Sequence, residues 1–504
     1  MSRWLARSLA IVMTLAVVPA AAGDVARGAQ ALARTGSAPA AGGVPALRLA
    51  TPDPALASAP EVAAAWDPAA WRAYGAGLAA GARAAGANAV AIRLGAFSND
   101  PAFEALAVGP IFAGLVRGHA LAVAVPSAET ATDPAAIHAQ DQPPLEAAVR
   151  GGAGAIACTL PAATWVAAIC RDPHLLAATL RRQVAFQGFV TGSSWTDDTT
   201  IERVRWAARK AGLLGRPPLP GSPAATATLS RRLVQSGAVL LKNDGFVLPF
   251  APEAVRSLVV VGADDATLAA IRAALPRTAV TTAPADPVLA AQAAARVTAC
   301  VLILGAPSDG EAELVRALAA ANPRTAVVLE RGPEAIDWSA QAPAVLVAWD
   351  PVAGTPEGLA NVLTGLAAPA GRLPSAAAGY PLGAGTTYAV FAYSGLRIDY
   401  GHGSEAPVTV SFLVGNAGVR AGTAVARLML VPPGGGPARL AAFARVTLAA
   451  GQSRRVRLPL AARVFAVWSP AYDAWYVAPG AYAATVLDAA VEPALSGTIR
   501  IVSR

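Results

Sequence analysis

The sequence predicts a three-part chain, two successive α/β units followed by an all-β unit, and three observations carry that prediction. Short apolar runs alternate with Ala-rich helical stretches from about residue 24 to residue 225. The same alternation resumes after a proline-rich break. Beyond about residue 388 the helical periodicity stops, and alternating apolar segments recur at short intervals. A length of 504 residues suits roughly three domains, each able to bury its own core.

In the first unit the strand candidates are residues 89–94, 120–125, 154–158 and 188–191, separated by helical stretches at 71–85, 101–117, 144–150 and 172–184. Strand-helix alternation argues for a parallel sheet, and periodicity leaves open whether it closes into a barrel. Arg216-Pro217-Pro218-Leu219-Pro220-Gly221-Ser222-Pro223 reads as a linker, because its prolines block both helix and central strand. Val239-Leu240-Leu241-Lys242-Asn243-Asp244-Gly245 then reads as a buried strand entering a tight turn. Strands at 257–261, 300–304, 325–329 and 344–348, with helices between, predict a doubly wound sheet. The third unit offers strands at 408–414, 426–431, 456–460, 474–477 and 482–487, the rhythm of an antiparallel β-sandwich. Gly434-Gly435-Gly436 reads as a hairpin loop, since no helix N-terminus follows it to hold a phosphate.

Composition narrows the function classes. Hydrophobic content of 55% looks membrane-like, but Ala, Gly and Pro dominate, and only the N-terminus could meet a bilayer. There Arg3 and Arg7 precede an apolar core from Leu9 to Val18, and Pro19 to Gly23 supply small residues. About ten apolar residues are too few to span, so residues 1–22 read as a cleaved secretory signal, with an uncleaved anchor as the alternative. Export to the periplasm or medium is expected, with no stable membrane span after cleavage. Cys158, Cys170 and Cys300 lack metal-ligand spacing, and buried thiols or a Cys158–Cys170 bridge remain open. The net charge of +8 is read as thinly spread and almost wholly Arg. Without basic clusters interleaved with aromatics, no nucleic-acid partner is expected. His119, His138, His174 and His402 share no metal spacing, so no metal or cofactor is expected.

Several local motifs point to a family. The Leu-Leu-Lys-Asn-Asp-Gly stretch with Ser230 to Ala238 before it, Asn99-Asp100-Pro101 with Phe103, and Pro143 to Gly154 are three of them. Cys170 to Leu176, Phe186-Gln187-Gly188-Phe189-Val190, Gly371-Arg372-Leu373-Pro374, Tyr380 to Tyr388 with Phe391, Asn416-Ala417-Gly418 and Leu440 to Phe443 are the others. In this order they resemble glycoside hydrolase family 3, the β-glucosidase family. The resemblance implies a shortened TIM-barrel-like domain over residues 23–225, a doubly wound α/β sandwich over 226–378 and a fibronectin type III-like β-sandwich over 379–504. About 200 residues is small for a (β/α) barrel, which implies lost strands or helices.

The resemblance also implies retaining hydrolysis of β-linked glucosides or oligosaccharides, which needs two carboxyl groups roughly 5 Å apart. In the family an Asp in a Gly-Phe-x-x-Ser-Asp-Trp turn is the nucleophile. Here the turn reads Gly188-Phe189-Val190-Thr191-Gly192-Ser193-Ser194-Trp195, one residue longer and without a carboxylate. Counting back from Trp195 puts Ser194 at the nucleophile position, and counting forward puts Ser193 there. Neither hydroxyl substitutes without a general base. Asp197, with Asp198 beside it, is the displaced candidate, and the N-cap of a helix beginning near Ile201 is the plainer role. Glu311 in Gly305 to Glu311 is the acid/base candidate. For it and for Glu313, a helix start favoured by the helix dipole stands beside catalysis. Asp53 and Trp195 are the substrate-binding candidates, with a plain turn as the other reading of Asp53. Two functions follow: an exported β-glucosidase-like hydrolase impaired at its nucleophile, or a non-catalytic relative that binds carbohydrate or a protein.

Overall fold

The computed structural model describes residues 49–50, 56–126, 134–157, 174, 176–191, 198–214, 223–334, 336–352, 354–401, 407–472, 474–488 and 493–502. The expected signal segment, Cys158 and Cys170 lie outside these residues. Two compact units emerge, one from residues 1–54, 71–96 and 104–226 and the other from 55–70, 97–103 and 227–504.

The first unit holds a parallel sheet whose strands follow sequence order: β1 (Leu49–Ala50), β2 (Ala89–Arg93), β3 (Leu121–Val125), β4 (Ala155–Ala157) and β5 (Phe189–Thr191). Consecutive parallel neighbours linked by helices are the winding of a (β/α) barrel wall. Among the described residues β1 and β5 are not paired with each other, so five strands form an open arc. The helix expected at 144–150 is longer, Pro134–Gly151, and runs through Pro143 and Pro144. Sequence reasoning stopped it at those prolines because each removes an N–H donor. The stretch expected at 172–184 contains a π-helical segment, Leu176–Gln183. Gly188 starts β5 where a Cβ would lie 2.1 Å from the Gly154 carbonyl oxygen, so this close approach requires glycine.

In the second unit a six-stranded sheet runs β6 (Val239–Asn243), β11 (Ala344–Val347), β10 (Thr325–Leu329), β9 (Ala299–Leu304), β7 (Ser257–Val261) and β8 (Ala279–Ala283), with only β6 antiparallel. Its strands alternate strictly between two cores. Val259, Val261, Leu302, Val327 and Val345 face one, and Leu258, Val260, Val301, Val328 and Leu346 face the other. Burial on both faces explains why these strands read as unbroken apolar runs. Asp265–Ala274 packs beside Thr355–Thr364, and Pro287–Ala294 beside Glu311–Ala321, one helix pair on each side.

The Asn243 side chain closes the turn after β6. Its amide donates to the Leu248 carbonyl and its oxygen accepts from Leu248 N–H, both at 2.9 Å. Lys242 caps carbonyls of Ser339 and Ala340 and pairs with Asp244 at 3.2 Å. Gly245 supplies the left-handed φ of 63°. All three polar residues of the motif thus serve the scaffold.

Two segments distant in sequence complete this unit. Asp100 accepts from Phe103 N–H at 2.7 Å and so caps the helix Pro101–Arg117. Ser98 donates to the Pro374 carbonyl, and Asn99 N–H to the Ser375 hydroxyl at 3.0 Å. Trp66 donates to the Arg372 carbonyl at 3.1 Å. The segments carrying the Asn-Asp-Pro and Gly-Arg-Leu-Pro motifs are therefore bonded to each other across 276 residues.

The third part is a two-sheet sandwich. One sheet runs β12 (Phe391–Tyr400), β13 (Val408–Asn416), β16 (Ser453–Leu460), and the other β15 (Arg439–Leu448), β14 (Gly422–Val431), β17 (Gly480–Leu487), β18 (Leu495–Ile501). Val410, Phe412, Leu428, Val456 and Tyr482 fill the space between them. Gly434 to Gly436 lie in the connection between the antiparallel strands β14 and β15, as expected.

Candidate functional site

In open α/β sheets the loops at the carboxyl ends of parallel strands form the ligand crevice, centred where the winding direction reverses. Here that point lies between β7 and β9, and the loops at 262–264, 305–310, 330–334 and 348–354 frame it. Glu311 stands at this edge as the first residue of the helix Glu311–Ala321. The cap position is Gly310, in a left-handed conformation and with no side chain to cap the helix, and the Glu311 carboxylate turns back to the loop before it. Its Oε1 accepts from Ser308 N–H at 3.1 Å and from Arg331 Nη1 at 3.1 Å. Its Oε2 accepts from Arg331 Nη2 at 2.7 Å. Arg331 also donates to the Gly305 carbonyl at 2.5 Å.

Both side chains are nearly buried, at 8% and 7% residue exposure for Glu311 and Arg331. A buried carboxylate gripped bidentately by a guanidinium is an acceptor on both oxygens. In this geometry Glu311 fixes loop 305–310 to the end of β10, and proton donation to a leaving group requires that grip to open. Glu313, the neighbouring candidate two residues onward, is exposed.

Sequence reasoning missed the charged groups around this pair. Glu330 follows β10 directly and is half-buried, and burial together with the nearby Asp264 carboxylate pushes its carboxyl up to about 7. Asp264 caps the helix Asp265–Ala274 by accepting from Thr267 N–H at 2.7 Å. Asp350, beyond β11, is raised by burial and then by Glu334. Glu61, from the helix Ala59–Ala64, is fully buried, and neither of its oxygens makes a hydrogen bond. Burial first, and Asp350 further, raise its carboxyl well above the ordinary value. The signal available was Leu329-Glu330-Arg331, two opposite charges directly after an apolar strand.

The other sequence-derived candidates, Asp53, Ser194, Trp195 and Asp197, lie outside the described residues. The segments on either side of residues 192–197 are described. Arg181 holds the carbonyls of Phe186 and Gly188 at 2.7 Å each. Asp198 opens the helix Asp198–Lys210, three residues earlier than the expected start near Ile201.

Two α/β units followed in sequence by a β-sandwich define the class as a multidomain α/β scaffold with a C-terminal β-sandwich. Residues 238–380 match the glycosyl hydrolase family 3 C-terminal domain, and residues 431–490 match a fibronectin type III-like domain. Over these two stretches the chain is similar to glycoside hydrolase family 3 proteins of the β-glucosidase type.

Among curated relatives, a probable β-glucosidase I of Aspergillus terreus is 29% identical over 245 residues, 36% of this chain and 29% of that protein. An exo-α-(1→6)-L-arabinopyranosidase of Bifidobacterium longum is 27% identical over 266 residues, 40% of this chain and 35% of that protein. The matched segment thus spans about a third of the length of these relatives. A β-glucosidase from Streptomyces venezuelae, solved in complex with D-glucose, superposes with a TM-score of 0.78 at 17% identity, covering 90% of this chain and 94% of that one. A β-glucosidase from Chaetomella raphigera gives 0.79 at 18%, covering 95% and 99%. At these identities the superpositions establish the fold.

Proposed function

We propose that this chain is an exported relative of the family 3 β-glucosidases that binds β-linked glucosides and whose hydrolysis of the O-glycosidic bond is impaired. The observation that carries the reading is the pairing of Glu311 with Arg331 on both oxygens, together with the absence of any carboxylate from the sequence Gly188 to Trp195. Retaining hydrolysis needs one carboxylate to attack and one carboxylic acid to donate, and this chain compromises both duties. Loss of a nucleophile costs several powers of ten in rate, about 1.36 kcal/mol of barrier for each. A module that binds carbohydrate or a protein without catalysis is the second reading, and the closed ion pair favours it.

The test is an aryl β-glucoside assay of the mature chain with Asp197→Asn and Ser194→Asp beside it, together with thermal shifts in glucose and cellobiose. A sugar-dependent shift with turnover near background is the expected result. Native turnover that vanishes in Asp197→Asn would identify a displaced nucleophile instead. Absence of both turnover and a sugar-dependent shift would leave a protein partner.

A further inference from the structure

The net charge is not evenly distributed. Residues 379–504 contain eleven arginines, no lysine and five acidic residues, which places most of the chain's net charge of +8 in its last quarter. Within that quarter the charge has a preferred face. The sheet β12-β13-β16 packs Val410, Phe412, Val456 and Leu458 into the sandwich core, so the alternate residues face away from it. On that outer face Arg397 of β12 lies opposite Ser411 of β13, which lies opposite Arg457 of β16. In a neighbouring row Ser394, Leu413 and Arg455 stand in register. The Arg455 guanidinium crosses β13 to donate to the Gly395 carbonyl at 3.3 Å, where the left-handed Gly395 leaves it room. Arg454 is exposed at the rim.

All four arginines are exposed, and among the described residues none has a carboxylate partner. Asp399, in the row beyond Arg397, is the acidic group of these rows. Strand spacing puts the Arg397 and Arg457 backbones about 10 Å apart, and Arg455 about 7 Å from Arg457 along its strand.

We propose that this outer face binds a linear polysaccharide bearing carboxylate groups. Guanidinium forks engage carboxylates bidentately, and a flat face carrying several of them at spacings of about 7–10 Å complements a chain with repeated carboxylates. The rows of Arg397 and Arg455 present no aromatic ring on which nucleic-acid bases would stack. Nor do they present an exposed apolar anchor for a lipid surface, since Arg455 crosses the sheet at the Leu413 row. The inference is independent of glucoside hydrolysis, because the face belongs to the sandwich and its test reads binding alone.

The experiment is affinity electrophoresis of the full chain through gels containing polygalacturonate, with neutral β-glucan gels as reference. Retardation is expected with polygalacturonate at about 20 mM NaCl and is expected to fade at about 300 mM, as screening shortens. Replacing Arg397, Arg455 and Arg457 together by Gln is expected to weaken binding roughly tenfold or more, three exposed ion pairs being lost. A charge-matched triple, Arg256→Gln, Arg272→Gln and Arg277→Gln, carries exposed positions of the second sheet's domain and is expected to leave retardation unchanged. Should the first triple lower the melting temperature, Arg457→Gln alone is read, with partial weakening expected. Equal weakening by both triples, tighter binding to duplex DNA or to phosphatidylglycerol vesicles, or no retardation would each overturn the proposal.

Discussion

Replacing Arg331 by Leu is expected to destabilise the second sheet's domain by about 3–5 kcal/mol near neutral pH, the usual cost of stranding one member of a buried ion pair. The Glu311 carboxylate, 8% exposed, would keep only Ser308 N–H, and the Gly305 carbonyl would lose its Arg331 donor. For a domain of this size the thermal midpoint should fall by about 10 °C or more. Replacing both residues, Arg331→Leu with Glu311→Leu, should recover most of the stability, because no unpaired charge remains. Midpoints of thermal unfolding for the two variants near neutral pH check this. Equal midpoints for native and Arg331→Leu would show that the pair contributes nothing to the scaffold.

Glu61→Gln is expected to stabilise the chain at alkaline pH and to flatten its pH dependence. The Glu61 carboxyl is raised, so its contribution is fully present below its unfolded value and is lost as pH rises through the folded one. Between those limits the folded chain keeps a proton that the unfolded chain has released, and stability falls by about 1.4 kcal/mol per pH unit. Glu330, held at about 7, and Asp350, also raised, act in the same direction at the same sheet edge. The native protein should therefore be more stable near pH 5 than near pH 8, with roughly one proton less of slope in Glu61→Gln. Denaturant midpoints across that range measure both. Parallel curves for the two proteins would mean that Glu61 ionises in the folded state as readily as in the unfolded one.

Much of the fold was written in the sequence where burial forces a pattern. The parallel strands β7, β9, β10 and β11 are covered on both faces and read as unbroken apolar runs, so each is located within a residue or two. β8 escaped notice because it edges the sheet and carries Thr281 and Thr282 on exposed positions. β12 escaped because its register breaks near Gly395, which interrupts the alternation. The association of residues 55–70 and 97–103 with the second unit was not legible at all. It depends on bonds such as Trp66 to Arg372 and Ser98 to Pro374, whose partners lie nearly 300 positions away.

The candidate site was legible in its carboxylates and not in their neutralisation. Glu311 could be picked from its loop, but its partner Arg331 lies 20 residues later, just past the end of the next strand, and parallel pairing of β9 with β10 brings the two together. The charge distribution was likewise hidden. The arginines of β12 and β16 look scattered along the chain until antiparallel pairing through β13 sets Arg397 and Arg457 in one row.

A fold like that of the family 3 enzymes persists here, with Glu311 held in a structural ion pair. Aryl β-glucoside turnover by the native chain and by Glu311→Gln, with the melting temperature of each recorded, tests this most directly. Near-background turnover in both and a lower melting temperature in Glu311→Gln are expected. Clear native turnover that disappears in a Glu311→Gln protein of unchanged melting temperature would contradict it.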